Sequence, residues 1–157
     1  MAARESGTRV ARGSEQRELL LSGFEGHVGP AVEEIVRYTT PVIQFRRTLT
    51  RDHRLNGHDF RSGDKVLLFY NSANRDAAVF TNPDTFDITR DPDPHVGFGG
   101  PGPHFCLGAH LARREIREIT VMLGELFTRL PRIRAAGPPD PLLSNFINGI
   151  KHLPCTF

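Results

Sequence analysis

Cysteine is scarce in this sequence: two residues in 157, Cys106 and Cys155, neither in a Cys-x-x-Cys pair. That scarcity excludes a disulfide framework and fits a reduced, cytoplasmic setting. Long apolar runs are also lacking. The only hydrophobic triplet near the start is Leu19-Leu20-Leu21, too short for a signal-peptide core or a membrane span. No block of one charge occurs either, since 20 Lys and Arg are interspersed with 18 Asp and Glu for a net charge of +2. A dedicated nucleic-acid surface is therefore not expected, and no membrane association is either. There is no internal repeat. What is present, 38% hydrophobic residues over this length, suffices for one core, so the expectation is one domain or a piece of one.

Residues 1–13 are rich in Arg, Gly and Ser without apolar period and are expected to be a disordered tail, leaving 14–157 as the folded portion. A short helix from Ser14 to Phe24 is expected, capped by Ser14 and ended by Gly23 and Gly26. Pro30 suits the first position of a second helix, with Val32, Ile35 and Val36 inward and Pro41 as its stop. From Phe45 to Tyr70, short β-prone runs separated by Asn56-Gly57 and Ser62-Gly63 predict a small antiparallel sheet. Residues 71–105 are too dense in Pro, Gly, Asp and Asn for a long element, and a loop of that length in a compact domain usually has a function. From Leu107 onward, Leu111, Ile116, Ile119, Leu123, Leu126 and Leu130 recur at helical spacing and predict a buried amphipathic helix. After Gly137-Pro138-Pro139, residues 142–157 read as a hairpin turning at Asn148-Gly149.

The stretch from Gly97 through Phe98, Gly99, Gly100, Pro101, Gly102, Pro103, His104, Phe105, Cys106 and Leu107 to Gly108 stands directly before that helix. A cysteine there meets unpaired backbone N–H groups and the positive end of the helix dipole, which lowers a thiol pKa and steadies a thiolate. The flanking glycines let a flat group approach without Cβ clashes. Such a soft, negatively charged donor suits a haem iron that must cleave dioxygen. Other readings compete. Gly97, Gly99 and Gly102 formally satisfy G-x-G-x-x-G, but no strand precedes them. His104, Cys106 and His110 supply too few ligands for zinc at usual spacing. A Cys/His nucleophilic pair lacks an orienting third residue. The loop by itself leaves function undecided.

Three further elements, in order along the chain, make it resemble the cytochrome P-450 family, in the form of a soluble actinobacterial-type member. Glu34 and Arg37 match the Glu-x-x-Arg pair of that family's K helix and share one helical face. Phe86-Asp87-Ile88-Thr89-Arg90 is similar to its meander. Arg46-Arg47-Thr48-Leu49 is similar to the strand that supplies a propionate-binding arginine. The resemblance implies a mainly α fold with small β-sheets (α+β): K helix, small antiparallel sheet, meander, cysteine loop, L helix and C-terminal hairpin. It implies haem b as cofactor with Cys106 as axial ligand, and His104 and Arg47 at the propionates. Phe98, Gly100, Gly102 and Gly108 would lie around the macrocycle. Glu34, Arg37 and Arg90 would form a buried charge cluster that locks the loop. Phe98 stands eight positions before Cys106, one more than in the shortest form of the signature.

The resemblance further implies a haem-thiolate monooxygenase, inserting one atom of O2 into a hydrophobic substrate such as a sterol or lipid. Val42, Ile43, Gln44, Phe146 and Ile147 would line the substrate cavity. Electrons would come from a ferredoxin and its reductase, received beside Arg113, Arg114 and Arg117. The chain corresponds to roughly the last third of such a protein and lacks the helix that delivers protons during oxygen activation. The expectations are accordingly an isolated chain with no activity of its own, a truncated product that binds haem weakly or not at all as the alternative, and apolar faces left open to association.

Overall fold

The computed structural model describes residue 13 and residues 15–157, so the expected tail and the cap at Ser14 lie outside the described residues, save for residue 13. Residues 15–22 are helical, a turn falls at Gly23, and α1 (Phe24–Thr39) begins at once. The helix therefore starts earlier than the position of Pro30 suggested. Pro30 lies inside it, where its missing N–H removes one bond to the carbonyl four residues back. Burial outweighs that loss, because Val28, Ala31, Val32, Glu34, Val36 and Arg37 are all buried along one side of α1. Thr40 ends the helix in the left-handed region at φ 40°, with its N–H on the carbonyl of Val36, ahead of Pro41.

In place of one sheet there are two separate ladders between residues 44 and 69. Strand β1 (Gln44–Thr48) pairs antiparallel with β4 (Lys65–Phe69), in register from Gln44 opposite Phe69 to Thr48 opposite Lys65. Strands β2 (His53–Leu55) and β3 (His58–Phe60) form their own hairpin across Asn56 and Gly57, both at positive φ as a tight turn demands. A single four-residue helix, α2 (Tyr70–Ala73), interrupts the long connection that follows, and α3 (Ala109–Arg129) closes it. The mixture of helix and small antiparallel sheets is the α+β architecture the resemblance implied.

Helix α3 packs on α1, but through a different face from the one its Leu and Ile residues predicted. Ala109, Thr120 and Gly124 are its buried residues, while Leu111, Ile119, Met122, Leu123 and Leu126 are exposed. Close approach is the reason. A Cβ at Gly124 would stand 3.4 Å from the Phe24 ring, so small residues mark the contact and the larger ones face away.

The C-terminal segment is no self-contained hairpin. Strand β5 (Arg134–Ala135) pairs with β8 (Cys155–Thr156), and β6 (Asp140–Pro141) pairs with β7 (Ile150–His152). The turning segment is the whole of 142–149, not a tight turn at Asn148-Gly149. Its tip is held by backbone bonds from Ile43 to Phe146 at 2.8 Å and from Asn148 to Pro41 at 2.9 Å. Among the described residues, no helix is long and apolar enough to cross a membrane.

Candidate functional site around Cys106

The foundation of the site is a buried carboxylate. Glu34 on α1 is 0% exposed and receives both prongs of Arg37, at 2.6 and 2.8 Å. Arg90 reaches the same carboxylate at 3.3 Å, and the N–H of Asp87 donates to it at 2.7 Å. Arg37 gives its other donors to the carbonyls of Asn74, Pro83 and Thr85. All five of its N–H groups thus have acceptors, which is what makes a fully buried guanidinium tolerable. Arg90 also bonds the carbonyls of Thr81 and Thr85. Residues 74–90, which have almost no regular structure, are in this way tied to α1.

From there the chain enters the cysteine loop. The N–H of Val96 donates to the Asn74 side chain at 2.8 Å, and Asn74 in turn donates to Thr40 at 3.0 Å. Gly97 runs so close to α1 that a Cβ there would come within 2.5 Å of Val36 Cγ1. Gly99, at φ +88°, turns the backbone in a conformation that an L side chain would strain. The loop then closes on itself, with the N–H of Cys106 donating to the carbonyl of Phe98 at 3.0 Å. Cys106 stands two residues before Gly108, the residue preceding α3, slightly further from the helix start than the sequence suggested.

Cys106 is a free, exposed thiol. Residues 100–108 are all exposed, and the two chain neighbours of Cys106 are exposed apolar residues, Phe105 at 42% and Leu107 at 101%. A Cβ at Gly100 or Gly102 would meet nothing within 4 Å, and one at Gly108 would be 4.0 Å from the sulfur. An exposed thiol between apolar neighbours, with open space over two glycines, fits the flat face and soft metal of a haem. His104 is exposed in the same loop. Arg47 lies on β1 with its guanidinium 5.1 Å from the Phe45 ring and donating locally to the carbonyl of Arg46. Among the described residues, no group of three or more His, Cys, Asp or Glu could hold a metal ion by itself.

The expected substrate-lining residues do come together, although a hundred positions separate them. Val42 bridges Ile147, Gln44 donates to the carbonyl of Asn145 at 3.1 Å, and the Phe45 and Phe146 rings meet edge to face at 5.5 Å. The arginines on α3 differ from expectation. Arg113 is engaged by Glu33 at 2.7 and 2.9 Å, and Arg117 by Glu25 at 3.2 Å, so of the three only Arg114 lacks such an acidic neighbour among the described ion pairs.

Sequence reasoning missed Glu33, His95 and Asn74. Glu33 accepts from His95 Nε2 at 2.9 Å as well as from Arg113. Burial pushes its carboxyl up, but the bonds from Arg113 and His95 outweigh that and hold it below the usual range. Nothing local marks these residues as a group, because the contacts that tie them to other elements span 22 to 80 positions.

The cytochrome P-450 family profile matches residues 29–140. A methyl-branched lipid omega-hydroxylase of Mycobacterium tuberculosis is 53% identical over 148 residues, covering 94% of this chain and 34% of that relative. A steroid C26-monooxygenase of the same organism is 46% identical over 122 residues, covering 78% and 28%. Among solved structures, a Mycobacterium marinum cytochrome P-450 in complex with pseudoionone superposes with a TM-score of 0.83 at 49% identity, over 92% of this chain and 34% of that one. The chain thus spans about a third of the length of these relatives. On this similarity along nearly its whole length, the chain belongs to the cytochrome P-450 family, whose members bind haem through a cysteine thiolate.

Proposed function

We propose that Cys106 is the axial thiolate of a haem b iron. On this reading the chain is the C-terminal, haem-holding part of a monooxygenase that inserts one atom of O2 into a C–H bond of a hydrophobic substrate, a sterol or branched lipid. The observation that carries the reading is the free sulfur of Cys106, exposed among apolar residues on a loop whose base is fastened to α1. The relatives named for methyl-branched lipid and steroid oxidation support the substrate class. When bound, the haem supplies dioxygen activation, and a thiolate donor favours O–O cleavage.

The chain's own residues then have distinct tasks. Phe98 holds the Cys106 N–H with its carbonyl and so sets the direction of the sulfur. Gly100, Gly102 and Gly108 leave room for the macrocycle, and Arg47 and His104 would bind its propionates, for which a guanidinium fork is well shaped. Glu34, Arg37 and Arg90 keep the loop's foundation rigid. Val42, Ile43, Gln44, Phe146 and Ile147 would border an apolar substrate. A ferredoxin, reduced by its reductase, would deliver electrons on the Cys106 side, with Arg114 available to an acidic partner. Turnover by these 157 residues alone is not expected, because water reaches the whole loop from residue 100 to residue 108.

Hemin titration followed by reduction under carbon monoxide tests this reading. The expected result is the red-shifted Soret band for which the family is named, absent from Cys106→Ala. Uptake of hemin without that band, or a band that survives Cys106→Ala, would overturn it.

A further inference from the structure

One carboxylate of α1 is bonded to both flanks of the cysteine loop. On the entry side, Glu33 Oε2 takes His95 Nε2 at 2.9 Å, while the other ring nitrogen of His95 accepts the N–H of Gly97 at 3.1 Å. That acceptor role places the ring proton on Nε2, so His95 donates to Glu33 and its tautomer is fixed by the loop backbone. The His95 side chain is 3% exposed, so the imidazole side of this bond is shielded from water. On the exit side, Arg113 of α3 lays a two-pronged fork on Glu33 at 2.7 and 2.9 Å. The same guanidinium sits 4.5 Å from the centroid of the Phe98 ring. Phe98 is the residue whose carbonyl holds the N–H of Cys106.

We propose that Glu33, acting through His95 and Arg113, is a positioning residue that clamps the two flanks of the cysteine loop and fixes the direction in which Cys106 presents its sulfur. The inference deepens the haem-thiolate reading and rests on it for its effect on the iron. The clamp is separate from the Glu34 cluster, which anchors residues 74–90. Among the described residues, the Glu33 network is the one that reaches across the cysteine to α3. Two features make it a geometric device. The two-pronged fork needs the planar guanidinium, which a lysine cannot imitate, and the same plane lies against the Phe98 ring. The loop interior also offers few other restraints, with residues 100–108 all exposed.

The test compares Glu33→Gln, Arg113→Ala and Arg113→Lys with Glu25→Gln, which removes the neighbouring α1–α3 pair to Arg117 on the exposed surface. Amide hydrogen exchange on the chain without hemin reads the clamp directly. Exchange at Gly97 and Cys106 should quicken about tenfold or more in the first three variants and stay unchanged in Glu25→Gln. With hemin, reduced and under carbon monoxide, the same three variants should convert a larger share of the thiolate-type band into the blue-shifted band of a haem that has lost its thiolate. Wild-type exchange rates in Glu33→Gln, or full rescue by Arg113→Lys, would overturn the proposal, the latter because charge alone would then suffice. A wild-type chain with no thiolate-type band at all would sink the haem reading and the effect on the iron, while the exchange rates would still decide whether the clamp exists.

Discussion

Among the described residues, both carboxylate oxygens of Asp93 are buried without a hydrogen-bond partner, whereas the Glu34 carboxylate, whose charge Asp93 feels, is held by both prongs of Arg37. Burial pushes the Asp93 carboxyl above its ordinary value; His95 opposes the shift and Glu34 adds to it. For an acid whose folded pKa is raised, the linked stability is fully present below the unfolded value and is lost as pH rises through the folded value. Asp93→Asn should therefore raise stability at neutral pH by about 1 kcal/mol and make little difference in acid. Urea unfolding at the two pH values checks this, and an asparagine variant no more stable at neutral pH would contradict it. Glu34 is the opposite case. Arg90→Ala leaves part of a buried carboxylate unpaired and should cost about 3 kcal/mol in the same assay, because removing one partner strands a desolvated charge. The three-residue spacing put Glu34 and Arg37 on one helical face, but their buried pairing was expected only through the family resemblance. The position of Arg90 came through the family resemblance, and the roles of Asn74 and His95 depend on contacts that no local pattern records.

Among the elements, helices and turns were the most legible and the packed faces the least. The stop at Pro41, the turn at Asn56-Gly57 and the long helix after the cysteine loop all have local causes, namely a missing donor, a positive φ and a 3.6-residue period. The face that α3 buries was misread, because hydrophobic periodicity favours large side chains whereas the contact with α1 selects small ones. The pairing of β5 with β8 was missed for a related reason, since strands of two residues carry too little pattern to announce a partner. Gly97 tests how tightly the loop and α1 are packed. Gly97→Ala drives a methyl into Val36 Cγ1 and should lower stability by about 1–3 kcal/mol, as overpacking does. In a Val36→Ala background the added cost should be much smaller. Equal costs in both backgrounds, read from urea midpoints, would show that the close approach is not what keeps residue 97 a glycine.

At the scale of the whole molecule, the exposed apolar surface is extensive. Leu111, Ile119, Met122 and Leu126 form a stripe along α3, and Leu67, Leu68 and Phe69 are exposed on β4. Contiguous exposed patches of this kind drive association. The chain should sediment as oligomers, and Ile119→Glu with Met122→Glu should raise the monomer fraction; a wild-type chain that is monomeric at micromolar concentration would contradict this. The same molecule displays its cysteine on an outward-facing loop fastened from behind by α1, and the functional account turns on what that sulfur binds. The most direct measurement is the iron–sulfur stretching band in the resonance Raman spectrum of the hemin-loaded chain, with and without heavy-sulfur cysteine. A label-sensitive band in the wild type and in Cys155→Ser, lost in Cys106→Ser, is the predicted result. Bound hemin with no such band, or a band that persists in Cys106→Ser, would contradict the account.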